Sequence, residues 1–288
     1  MPIDYDFLKG LPPLEIDHEY SWKDTILYAL GVGAGIGAED DPVNLRFVYE
    51  KDLQALPTWP LMLAYPGFWA RDPKYGITWQ KLLHVEQSIE IHGPIPVEGR
   101  VRGYMTIDEI YDRGAEKGAM LHFSRRIVDA VTDEPIATVR QVNLLRADGG
   151  FGGPAIKPPA PREMPSRAPD AVVAMKTRPE LAMIYRLSGD TNPLHVDPEI
   201  SAGAGFDRPI LHGLATMGVV ARGAMKTLCS DNPARVKQID VRFAAPVFPG
   251  ETLLVSLWDE GGGHAVFEAK VAERDIVVIR NGYFAYQG

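Results

Sequence analysis

Residues 83–91 and 236–243 alternate apolar and polar side chains with the two-residue period of a half-buried strand. Each run leads into a Pro/Gly turn, Pro94 to Gly99 in one case and Pro246 to Gly250 in the other. Each turn opens a further alternating segment, residues 100–107 and 252–258. Strand-rich stretches at 121–145 and 265–286 then close the two halves. Upstream, Tyr28-Ala29-Leu30-Gly31 is echoed by Tyr185-Arg186-Leu187-Ser188. The same signals recur in the same order, so the chain reads as two copies of one α+β unit.

The copies differ between the echo and the strands. In the second half, Leu211, Leu214, Met217, Ala221, Ala224, Met225 and Leu228 recur at three- and four-residue steps, which predicts a helix over 211–228. Pro209 sits near its start, where proline is tolerated. The corresponding stretch of the first half contains Pro57, Pro60 and Pro66, and a long helix cannot run through them. The first copy has therefore lost or shortened an element that the second keeps, and space opens there.

Between the halves, residues 147–169 hold Gly149, Gly150, Gly152 and Gly153, then Pro154, Pro158, Pro159, Pro161, Pro165 and Pro169. Such a segment sustains neither a helix nor a central strand and reads as a linker. The expected organisation is a copy at 1–146, a linker at 147–169 and a second copy at 170–288. Apolar residues at 45% and charged residues at 24% are the balance of a globular protein. No apolar run is long enough to span a bilayer, the N-terminus is acidic rather than signal-like, and the C-terminus Tyr286-Gln287-Gly288 is not a Ser-Lys-Leu peroxisomal address. A cytoplasmic protein is expected. The single cysteine, Cys229, cannot close an internal disulfide and reads as buried and inert. A net charge of −8 speaks against a general nucleic-acid binder, although a local Lys/Arg cluster can still hold an anionic small molecule.

The chemistry is concentrated in residues 185–198. Gly189, Asp190, Asn192 and Pro193 are ordinary turn residues, and turn chemistry alone explains them. It does not explain His195 beside them, nor the Arg208-Pro209-Ile210-Leu211-His212-Gly213 run that opens the helix. A carboxylate and an imidazole five positions apart on a tight loop can converge on one water molecule. Amides at a helix start can take up developing negative charge. His212 reads as a packing or hydrogen-bonding residue at that helix start, and Asp197 before Pro198 as a turn residue. Gly33-Ala34-Gly35-Ile36-Gly37-Ala38 fits a loose dinucleotide pattern, but Glu39-Asp40-Asp41-Pro42 follows where a helix should begin. His18, His84, His92, His122 and His264 are scattered without ligand spacing, so no metal is expected.

Tyr185, Ser188-Gly189, Asp190, Asn192, Pro193, Leu194, His195 and Ser201, with Pro209, His212 and Gly213, form a long motif. It resembles that of the MaoC-like, (R)-specific enoyl-CoA hydratase family, which includes the hydratase domain of peroxisomal multifunctional enzymes. The two-copy arrangement with a broken first helix looks like the eukaryote-type, double hot-dog members. The resemblance implies an α+β double hot-dog fold and reversible hydration of trans-2-enoyl-CoA to (R)-3-hydroxyacyl-CoA, without a cofactor. It implies that Asp190 and His195 activate the water, that Asn192 orients the site, and that the Gly213 N–H binds the thioester oxygen. Which of Asp190 and His195 is the base stays open.

Aligning Tyr28 with Tyr185 sets Gly33 against Asp190, Gly35 against Asn192 and Ala38 against His195, so the first copy is expected to be non-catalytic and to accommodate the acyl chain. Leu61, Met62, Leu63 and Trp69 are then the expected wall for a long or bulky acyl group. For the CoA phosphates the nearby cations are Lys176, Arg178, Arg208, Arg222 and Lys226, with Arg208 the substrate-binding candidate. A homodimer is consistent with the resemblance. The alternatives are a hot-dog thioesterase and a non-catalytic acyl-CoA-binding subunit.

Overall fold

The computed structural model describes residues 3–37, 42–155 and 162–288. Its centre is one antiparallel sheet of ten strands. The first half contributes β1 (Leu14–Tyr20), β2 (Leu82–Ile91), β3 (Gly99–Asp112), β4 (Ala119–Asp129) and β5 (Pro135–Leu145). The second contributes β6 (Ala171–Lys176), β7 (Val236–Phe243), β8 (Thr252–Gly261), β9 (His264–Val271) and β10 (Ile276–Tyr286). The spatial order is β1-β3-β4-β5-β2-β7-β10-β9-β8-β6. Read from either edge inward, the two halves present their strands in the same sequence, so the chain is two copies of one unit, as the repeat implied, in the double hot-dog arrangement that the resemblance implied.

The halves meet where β2 lies antiparallel to β7, with Glu86 opposite Arg242, Ser88 opposite Asp240 and Ile89 opposite Ile239. Ile89 and Ile239 are fully buried there, and the Ser88 hydroxyl donates to the Asp240 carboxylate at 2.6 Å. The alternating strands behave as their pattern demands. In β4, Ala119, Leu121, Phe123, Arg125 and Ile127 face inward with Met120, His122 and Ser124 between them.

Helix α1 (Tyr5–Lys9) precedes β1, and α2 (Trp22–Gly31) follows it. Ser21 and Asp24 close a capping box at the start of α2. Helix α3 (Leu181–Tyr185) packs on α2, with the Tyr28 and Tyr185 rings 5.9 Å apart. The two tyrosines of the sequence echo thus touch. After the short α4 (Pro198–Gly203), the long α5 (Gly213–Cys229) runs across β6, β7, β8 and β10. From Leu214 to Met225 every residue of α5 is buried, so the helix is enclosed on all sides and not merely along one stripe. Gly218 lets the α2–β2 connection approach it: a Cβ there would overlap Val32.

In the first copy the corresponding chain makes only a single 3₁₀ turn, Trp59–Leu61, as its prolines require. Its loose carbonyls need other donors. Arg125 Nη2, reaching in from β4, donates to Pro60 O at 3.2 Å and Leu61 O at 2.8 Å. The Tyr28 hydroxyl donates to Thr58 O at 2.9 Å, and the Ala64 N–H donates to His18 Nδ1 at 3.0 Å. Residues 156–161 of the linker, with Pro158, Pro159 and Pro161, lie outside the described residues, as do Ala38, Glu39, Asp40 and Asp41. The described linker ends are tied down: Gly150 and Gly152 donate to the Asp112 carboxylate, and Arg167 O accepts from the Trp258 indole. No helix among the described residues is long and apolar enough to cross a membrane.

Candidate active site

The 3₁₀ turn Arg186–Ser188 ends on Gly189, whose φ of +133° is closed to most side chains. That reversal presents Asp190. The Asn192 N–H donates to Asp190 Oδ1 at 3.2 Å, and Asn192 Oδ1 accepts from the Leu194 N–H at 3.1 Å, capping a second 3₁₀ turn, Pro193–His195. His195 is the last residue of that turn, and Pro193 starts it with a fixed φ. Ser201 holds the turn from behind, its hydroxyl donating to Leu194 O at 2.8 Å. Asp197 accepts from the Glu199 and Ile200 N–H groups and caps α4, as a turn residue should. Asn192 is thus a local organiser, and its side chain is engaged with its own turn.

His195 is 8% exposed, and its Nδ1 lies 2.8 Å from Ile210 O. A carbonyl can only accept, so Nδ1 carries the proton and Nε2 is left with a lone pair. Burial holds the ring's pKa below that of an ordinary histidine, with the Asp190 charge and the Ile210 carbonyl opposing that shift in part. The ring is therefore neutral and basic at neutral pH. His212 is 1% exposed and stacks on His195, with ring centroids 3.7 Å apart. Its Nε2 donates to the main-chain carbonyl of Asp190 at 3.1 Å, which ties the loop at 189–195 to the head of α5. Gly213 is the first residue of α5, so its N–H has no acceptor within the helix.

Asp190, Asn192, His195 and Gly213 all line one cavity of about 460 Å³. The fold thus brings these four residues, expected from the sequence, onto one surface. Asp190, His195 and His212 also place one ligand-type atom each within 4.8 Å of one another. Stacked imidazoles direct their in-plane lone pairs side by side rather than at a common point, and each ring spends one nitrogen on a carbonyl. The trio suits proton transfer better than chelation.

The expected acyl wall needs correction. Leu61, Met62 and Leu63 are fully buried in the core rather than on the cavity. The Leu61 carbonyl is taken by Arg125, and Met62 sulfur accepts from the Tyr185 hydroxyl at 3.3 Å. The single turn at Trp59–Leu61 directs these side chains inward, and the wall is built by the segment after it, Tyr65 to Ala70. Trp69 does line the cavity, edge-on to Phe123 with centroids 5.6 Å apart. Phe206 and Phe243 complete the apolar surface. No local signal marked these positions, because they come from separate loops and strands.

Arg208 lies outside this cavity, in a neighbouring depression with Asp207, Phe248 and Arg274, its guanidinium 4.7 Å from the Phe248 ring. Consecutive residues line the two hollows, Val247 the cavity and Phe248 the depression. Arg222 is withdrawn from the list of phosphate candidates: it is buried and donates to Val32 O and Asn44 Oδ1. Cys229 is buried, and burial pushes its thiol up to about 11, as befits an inert residue.

Residues 162–281 match the family described as MaoC like domain, and residues 18–147 match the MFE-2 hydratase 2 N-terminal domain. The 3-hydroxyacyl-thioester dehydratase Y of Mycobacterium tuberculosis is 40% identical over 262 residues, covering 89% of this chain and 88% of that protein. A peroxisomal enoyl-CoA hydratase 2 of Arabidopsis thaliana is 36% identical over 302 residues, covering 95% of this chain and 92% of its own. A solved MaoC-like dehydratase from Phytophthora capsici superposes with a TM-score of 0.87 at 36% identity, over 98% of each chain.

Proposed function

Because the chain belongs to the MaoC-like hydratase family, in the two-copy form that carries a hydratase 2 N-terminal domain, we propose that it is an (R)-specific enoyl-CoA hydratase. This hydro-lyase adds water reversibly across a trans-2-enoyl-CoA. The water is held between the Asp190 carboxylate and His195 Nε2. His195 takes one proton as the oxygen bonds to C3, and returns it to C2 on the same face. Asp190 steadies the imidazolium in between. Charge builds on the thioester oxygen as an enolate forms, and the Gly213 N–H stabilises it, a contribution on the order of 3 kcal/mol. Both proton transfers are made by side chains, so the reaction needs no cofactor.

The observation that carries this reading is the tautomer of His195. Its Nδ1–H is committed to Ile210 O, which leaves a neutral Nε2 on the cavity beside Asp190. The first copy, residues 1–146, supplies volume rather than chemistry, and residues 170–288 supply the reacting groups, with 147–169 joining them. Tyr65, Trp69 and Phe123 extend the cavity into the first copy, which favours a long or bulky acyl group. Arg208, in the depression lined by Phe248, is the residue proposed to meet the CoA phosphates. A homodimer and a cytoplasmic site of action are the accompanying expectations.

The test is hydration of trans-2-enoyl-CoA substrates of several chain lengths, with product chirality determined. (R)-3-hydroxyacyl-CoA is expected, and Asp190→Asn and His195→Gln should slow its formation by roughly 10²–10⁴-fold. Release of free CoA thiol would point instead to a thioesterase, and binding without turnover to a non-catalytic subunit.

A further inference from the structure

Strand β5 turns Ala137, Val139, Gln141, Asn143 and Leu145 inward. Two amides thus stand on the face where a hydrocarbon wall would be expected. Both line the reaction cavity together with the Tyr65–Ala70 segment, and Gln141 sits beside Phe123, its register partner on β4. Asn143 is only 3% exposed. The Gln141 Nε2 donates to Asn143 Oδ1 at 2.9 Å. Among the described residues that bond leaves Asn143 Nδ2 and Gln141 Oε1 without a protein partner. Turning both amides over changes nothing of substance: the pair always keeps one NH₂ and one carbonyl oxygen for the cavity. His84, paired with Asn143 across β2 and β5, lines the same wall. Burial pushes it down to about 4, so it is neutral, and its Nε2 donates to Glu86 O.

Buried amides facing an alkyl chain would lose their water without compensation. A ligand oxygen there supplies that compensation. We propose that the preferred acyl group carries a neutral oxygen function, a hydroxyl or a ketone, which is bound by Gln141 and Asn143. A hydroxyl matches both free groups, donating to one and accepting from the other, and a ketone accepts from the NH₂. None of these three residues carries a charge; Arg146, which also lines the cavity, is a cation there and makes the carboxylate the substrate to test against. This inference rests on the hydratase reading and specifies its substrate.

The test compares kcat/KM of the full-length chain for trans-2-enoyl-CoA substrates of one length. One is unsubstituted, others carry a hydroxyl or ketone at successive carbons beyond C4, and one ends in a carboxylate. A maximum at one oxygenated position, about tenfold above the unsubstituted chain, is expected for a hydrogen bond that relieves a buried amide. In Gln141→Leu/Asn143→Leu the ratio of oxygenated to unsubstituted kcat/KM should fall to about one. Equal rates for plain and oxygenated chains, or the highest rate for the carboxylate, would overturn the proposal. So would a double variant that loses activity on every thioester alike while remaining folded, because the amides would then serve the pantetheine arm. The wild-type comparison stands without the variant should that not fold. Hydration of no enoyl-CoA at all would instead sink the hydratase reading itself.

Discussion

His195 and His212 lie face to face, their planes 28° apart, and each gives its one N–H to a main-chain carbonyl. Burial, and then the His195 ring, push His212 down to about 2, so it stays neutral throughout turnover. A second positive charge beside His195 would oppose its protonation, whereas a neutral ring does not. His212 is a positioning residue: it holds the Asp190 carbonyl and sets the plane of His195. His212→Ala removes a buried ring and leaves the Asp190 carbonyl without its donor. A loss of about 2–4 kcal/mol in stability and a fall in kcat larger than any rise in KM are expected, read by denaturant melts and steady-state kinetics. An unchanged kcat would reduce the residue to packing.

Asp190→Asn and His195→Gln keep the size of each side chain and remove its proton chemistry. Each should lower kcat by roughly 10²–10⁴-fold. The far-ultraviolet circular dichroism and melting temperature should stay close to wild type. The double variant should be little worse than the worse single one, because the pair acts as a unit.

On the proposed mechanism, protonation of His195 removes the base. Its pKa lies below the ordinary histidine value of about 6.5 because burial outweighs the Asp190 charge. The acid limb of kcat/KM should therefore inflect below pH 6.5, with activity lost as pH falls through it and flat across neutrality. An inflection above that value would identify a different group.

Stability should follow pH in the same direction. His84 and His212 are held neutral in the fold, at about 4 and about 2, while an unfolded chain protonates each near 6.5. Below about 6.5 the unfolded state binds more protons, so stability falls with falling pH, by up to about 1.4 kcal/mol per unit for each ring. The contribution of His84 levels off at about 4. Urea melts between pH 7.5 and 5 should show this decline, and His84→Gln should make it shallower.

Arg125 is buried, and burial lowers it to about 10, so it remains charged. Its guanidinium satisfies Pro60 O and Leu61 O where the first copy lacks a helix. Arg125→Met exposes no cavity of note but abandons both carbonyls, and a loss of about 2–4 kcal/mol is expected in a chemical melt. A neutral outcome would mean that the turn at Trp59–Leu61 can satisfy itself.

Most strands were legible because their alternation was bracketed by Pro/Gly turns. The two outermost were not. β1 exposes most of its residues and buries only Tyr20, and β6 alternates between half-buried and exposed without a buried residue. Helix α2 was visible only as the Tyr28 echo, although Ser21 and Asp24 carried its capping signal. Asp190, Asn192 and His195 could be read because they share one loop. Gln141, Phe206 and Phe243 could not, since only the sheet brings them to one cavity. Leu61, Met62 and Leu63 were misplaced because prolines predict where a helix stops but not which way the freed side chains turn.

The seam between β2 and β7 has a consequence for how such a protein can change. Two separate subunits joined across that line would have to find each other by collision, would come apart on dilution, and would carry every substitution twice. With both partners on one polypeptide the encounter is intramolecular and the symmetry is no longer enforced. One half could surrender its helix for volume while the other kept an intact reacting loop. On the proposed function, the arrangement would forgo a second turnover centre per pair and gain room for a larger guest in the one that remains.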